Sequence, residues 1–158
     1  MCRYRYAFLT VLALAMFGPG AVAAAQPAPT YDAALAERLG ADEQGMRQYV
    51  LVILKSGPKK VEDPEQRKTM FAGHFANMKR LSDEGKLALA GPFAKNDEGW
   101  RGLFLLAVET VEEAAALTAT DPVIVQGEMV ADYHPWFGSA AAMIIPETHG
   151  KVTPPKTE

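Results

Sequence analysis

Cysteine is nearly missing from this chain: of 158 residues, only Cys2 is one. It precedes an expected cleavage site after Ala25, so the mature protein has none. Disulfides, thiol nucleophiles, cysteine-based zinc sites and iron–sulfur clusters are thereby excluded, and the core alone must hold the fold. Charge of one sign is also missing as a block. Net charge is −3 with a pI near 5.6, whereas a nucleic-acid binder shows a basic stripe or patch. The sequence therefore argues against a nucleic-acid partner. Three histidines are present, but none has the HxxxH or HExxH spacing that sets two metal ligands on one helical face. No glycine-rich phosphate loop occurs: "GPG" at 18–20 sits in the N-terminal segment, and "AGP" at 90–92 ends a strand. The longest apolar run, "AFLTVLALAMF" at 7–17, has 11 residues. At 1.5 Å per residue that is too short for about 30 Å of hydrocarbon.

What is there begins with export. Arg3 and Arg5 precede the apolar run, and "GPG" breaks it. Ala23 and Ala25 then fit the −3 and −1 positions of a signal-peptidase site. Residues 1–25 read as a signal peptide and Gln26 as the mature N-terminus, which predicts a periplasmic or secreted protein with no stable membrane insertion after cleavage. A cysteine at the cleavage position would mark a lipoprotein, but Gln26 stands there.

The mature chain divides into 26–46, a linker and short N-terminal helix; 47–138, the main domain; and 139–158, a C-terminal extension. In 26–46, Tyr31, Leu35 and Leu39 have helical spacing and Gly40 stops the helix. "QYVLVILKSG" is a strand apolar on both alternating sets, so it expects cover on both faces. Asp63 and Pro64 suit the cap and first turn of a helix over about 64–84, closed by Gly85. "KLALAGPF" and "WRGLFLLAVE" predict a hairpin around the turn "AKNDEG". Thr110 and Glu113 form a capping box for the next helix, and "EMVADYHPW" is a fourth strand. The polar, proline-bearing tail "ETHGKVTPPKTE" is expected to be disordered.

The order β-α-β-β-α-β defines an α+β, ferredoxin-like antiparallel sheet with both helices on one face. Its first and third strands are apolar on both sides, so the other face also needs cover. A second copy, packed sheet to sheet as a homodimer, supplies it. The alternative cover is the chain's own tail or N-terminal helix.

These residues resemble a known family. The ordered set is "YVLVILKSG", Arg67, "HFANMKRLSDEGKLALAGPF", "RGLFLLAVETVEEAAALTATDP" and "YHPW". Together they are similar to the YCII-related domain, a branch of the dimeric α+β barrel superfamily, from about Tyr49 to Trp136. The resemblance implies a homodimer and a cleft containing a His and an Asp. Members include an enzyme that removes chloride from a chlorinated hydroxyquinol. The segments outside the match depart from the short cytosolic pattern and suggest an exported subgroup.

His74 shares a helical face with Phe71, Phe75 and Met78. One reading makes it a hydrogen-bonded core histidine. The other makes it a general base or acid, since imidazole titrates near neutrality. Asp121 caps a short helix with Pro122; the resemblance also implies that it orients His74. Arg67, two turns before His74, is either solvated or a clamp for a substrate carboxylate. Trp136 is either packing at the dimer edge or a wall of the cleft. Asp97 is a rival carboxylate with the character of a turn residue. His134 shares a strand face with Trp136, and His149 belongs to the polar tail. Two functions follow. One is a cofactor-free lyase or isomerase of a small acidic or phenolic molecule, in a cleft near the dimer contact. The other is a non-catalytic dimeric module binding a small ligand or partner protein.

Overall fold

A computed structural model describes residues 28 and 30–155. The expected signal peptide, Cys2 and the cleavage site lie outside the described residues. The chain divides before Asp32, and everything below concerns the unit that begins there.

Helix α1 (Ala33–Leu39) is capped by the Asp32 side chain, which accepts from Leu35 N–H at 3.0 Å. It ends at Gly40, whose φ of 66° suits a residue without Cβ. Strand β1 (Met46–Ser56) leads to α2 (Pro64–Asp83). Asp63 caps α2 by accepting from Gln66 N–H at 2.8 Å, and proline occupies the first turn. The hairpin β2 (Leu87–Pro92) and β3 (Trp100–Leu106) follows. Helices α3 (Val111–Thr118) and α4 (Pro122–Val125) precede β4 (Met129–Ser139). At α3 the Thr110 hydroxyl accepts from Glu113 N–H, while the Glu113 carboxylate reaches back to Glu109 N–H, one residue beyond the expected box partner.

The four strands pair antiparallel in the order β2-β3-β1-β4, the ferredoxin-like arrangement that the element order predicts. Along β1 the two alternating sets separate cleanly. Val50, Val52 and Leu54 face the helices with Phe104, Leu106, Met70, Leu81 and Val123, the main core. Tyr49 and Leu51 face the other way, with Ala88, Leu105 and Ala107. Cover on both sides is what a doubly apolar strand requires.

Part of the outer face is covered by the chain itself. After β4 a 3-10 turn (Ala140–Ile144) lays Ala142 and Met143 against Tyr49, Leu105 and Ala107. The extension then continues as α5 (Ile145–Val152). Residues 147–152, part of the segment expected to be disordered, are helical here. The Lys151–Glu147 pair at 2.6 Å joins residues one turn apart and stabilises the exposed side of α5. Arg47 ties α1 to the sheet by donating to Leu39 C=O at 2.9 Å while lying over the Tyr49 ring. The remaining outer face stays open: Leu51, Ile53 and Leu103 are half-buried, and Val130 and Trp136 are exposed.

Candidate active site

Helix α2 presents His74 to the helix side of the sheet, where its ring stacks on Phe104 (centroids 5.8 Å apart, planes 27° apart) and meets the edge of Phe71. The next-turn residue Asn77 lies on the same face. Asp121, fully buried, arrives from the start of α4. Its carboxylate accepts from His74 Nδ1 at 2.9 and 3.0 Å, from Asn77 Nδ2 at 3.1 Å and from Val123 N–H at 3.2 Å. Asp121 therefore caps α4 and holds the imidazole at once. Asn77 is fixed in turn, because its Oδ1 accepts from Arg80 at 2.8 Å.

Glycine permits this approach. A Cβ on Gly73 would lie 2.8 Å from Pro122 Cγ, so only glycine beside His74 lets the start of α4 come this close.

With Nδ1 committed to a carboxylate, that nitrogen carries the proton in the neutral ring. Nε2 makes no hydrogen bond among the described residues and is not sealed off. The ring lines a cleft of about 350 Å³ between α2 and the sheet. The walls are Phe71, Phe75 and Met78 from α2, with Leu54, Phe104 and Met129 from the sheet. Arg101 is the cation on its lining.

The other residues weighed from the sequence lie elsewhere. Arg67 does not line the cleft. It makes a close ion pair with buried Glu128 and lies over the Phe71 ring. Glu128 also accepts from Val61 N–H at 2.8 Å. Burial pushes the Glu128 carboxyl up, but the Arg67 and Val61 hydrogen bonds and the charges of Arg67 and Arg101 together hold it below its usual range. Trp136 lies on the outer face, tilted against Tyr49 and folded over Gly138. It is not a wall of the His74 cleft, which opens on the helix side of the sheet and away from the expected dimer contact. Asp97 is exposed in the β2–β3 turn, which Asn96 closes with hydrogen bonds to Ala94 and Trp100. His134 and His149 are exposed. Sequence reasoning missed Asn77, Arg101 and Glu128. Asn77 was findable, since it stands three residues after His74 on one helical face; Arg101 and Glu128 carry no local signal. Among the described residues no group of three or more His, Asp, Glu or Cys is arranged to hold a metal ion, and no helix is long and apolar enough to cross a membrane.

A four-stranded ferredoxin-like sheet with a helix-borne histidine held by a buried aspartate at a cleft between helix and sheet defines a class of small α+β proteins. Within that class the chain belongs to the YCII-related domain family, whose model matches residues 48–136. It is 29% identical over 65 residues to the uncharacterised protein YjpA of Bacillus subtilis, a match covering 41% of this chain and 73% of that one. A solved structure is also similar: 5-chloro-2-hydroxyhydroquinone dehydrochlorinase (TftG) from Burkholderia phenoliruptrix, in complex with 2,5-dihydroxybenzoquinone. That likeness has 20% identity and a TM-score of 0.39, and covers 55% of this chain and 92% of the other.

Proposed function

We propose that the cleft performs cofactor-free general acid–base chemistry, as a lyase or isomerase, on a small acidic or phenolic molecule. His74 Nε2 takes a proton from the substrate or delivers one to it. Asp121 keeps Nδ1 protonated and stabilises the imidazolium that forms when Nε2 accepts a proton. One observation carries this reading: a buried carboxylate fixes one nitrogen of the ring while the other borders an apolar cleft large enough for a small ligand. A merely structural histidine gains nothing from leaving its second nitrogen at a cleft. Positioned proton transfer contributes on the order of 10²–10⁴-fold to rate.

The test is a turnover screen of hydroxylated and carboxylated aromatic compounds against the wild-type protein and His74→Gln. Turnover by wild type that falls at least 10²-fold in His74→Gln supports the reading. Saturable binding with no turnover of any bound compound overturns it in favour of a binding module.

The open part of the outer face supports a homodimer, because half-buried Leu51, Ile53 and Leu103 and exposed Trp136 leave apolar surface there that a second copy would cover. The basic–apolar–small pattern of residues 1–25 supports export. Mass spectrometry of secreted protein beginning at Gln26 is the expected outcome.

A further inference from the structure

The Arg101 side chain is out of step with its strand. In the β1–β3 ladder Leu54 pairs with Gly102, whereas Lys55 pairs with Trp100, so Arg101 is the extra residue of a bulge. Strict alternation from Phe104 and Gly102, both toward the helices, would send Arg101 to the outer face. The bulge instead turns it to the helix side, where it lines the His74 cleft and comes within 4.0 Å of Glu128 Oε1.

The charges at that end of the cleft do not cancel. Glu128 is already satisfied by Arg67 at one oxygen and by Val61 N–H at the other. Arg101 is a second guanidinium against the same carboxylate, too distant for a tight pair and about one-third exposed. One negative charge faces two positive ones, beside walls that are otherwise aromatic and aliphatic. A guanidinium carries a planar fork of donors that matches a carboxylate. Phe71, Phe93 and Phe104 give the lining the aromatic surface that an aromatic ring packs against.

We propose that Arg101 is the anion-binding and specificity-determining residue of the cleft, taking the carboxylate of a small aromatic acid while His74 faces the ring. Arg67, through Glu128, is a positioning residue that keeps the local charge in place. The inference rests on the proposed function only for the site's location; anion preference and proton transfer are separate properties.

Calorimetric titration with benzoate, and with benzamide as its neutral counterpart, tests the proposal on the full folded protein. Wild type should bind benzoate on the order of 10- to 100-fold more tightly, the range of a charge-assisted hydrogen-bonded pair. Arg101→Met should abolish that preference, and Arg101→Lys, which keeps the charge without the fork, should restore part of it. His74→Gln should retain it. Retention there separates the two ideas: an enzyme reading that fails the turnover screen leaves this preference intact. Equal binding of the two probes by wild type, no binding of benzoate, or a preference that survives in Arg101→Met but disappears in Arg67→Met overturns the assignment. Arg101→Met and Arg101→Lys should both fold, because the side chain makes no close hydrogen bond, with Arg101→Met only slightly less stable than wild type through its lost charge beside Glu128; a variant that fails to fold would contradict that placement and overturn the assignment also.

Discussion

Asp121 shows how much one side chain can be asked to do. A single carboxylate, itself fully buried, holds the start of α4, a histidine and an asparagine. Asp121→Asn keeps the shape and one acceptor but turns an amide toward groups that already donate. It should destabilise the protein by about 1–3 kcal/mol, measured as a lower urea midpoint with unchanged slope. Glu128 makes a pH prediction. Its carboxyl lies below the usual 4.5 in the folded state, so it binds a proton more weakly there than in the unfolded chain. The stability it contributes is complete above about pH 4.5 and is lost as pH falls through the lower folded value. Glu128→Gln should therefore flatten the acid side of the stability–pH curve while weakening the protein at neutral pH, where the two arginines lose their counter-charge.

Among the elements, the contact of α2 with α4 matters most for the site. Gly73→Ala would gain up to about 1 kcal/mol of helix propensity. The added methyl would nevertheless meet the rigid Pro122 ring at 2.8 Å, and overpacking of this kind costs about 1–3 kcal/mol. Net destabilisation is expected, together with a changed His74 Nδ1 resonance by NMR as α4 and Asp121 are pushed away. The extension after β4 is the second case. Removing residues 141–158 uncovers Tyr49, Leu105 and Ala107. The shortened chain should bind a hydrophobic dye strongly and unfold at lower temperature than the full chain, whereas a dispensable tail would leave both readouts unchanged.

For the whole molecule, the proposed homodimer makes a prediction at the open outer face. Leu51, Ile53, Leu103, Val130 and Trp136 are its apolar side chains, and exposed His134 and the Lys55–Asp132 ion pair lie among them on the same face. Light scattering should give twice the protomer mass. Trp136→Glu should shift the protein toward the single-protomer mass with the fold retained, since that ring is already 44% exposed within one copy. A monomeric wild type would refute the dimer.

Local chemistry by itself determined the element order, and from it the sheet. Strand β1 announced itself by apolar residues on both alternating sets; Asp63–Pro64, Thr110, Asp121–Pro122 and Gly40 marked helix ends because caps act within a few residues of themselves. His74 was legible as a titratable ring on an apolar helix face, and Asp121 as its partner through the family resemblance. Tertiary structure decided the rest. Arg67 was read as either solvated or a clamp on a substrate carboxylate and instead pairs with Glu128, 61 residues away, a distance across which no periodic pattern carries information. Arg101 reached the cleft only because a bulge in the β1–β3 ladder reversed its side, and register between strands is a property of the pair. Trp136 was assigned to the correct strand but lies across the sheet from His74, since alternation names two faces without saying which one the helices will take.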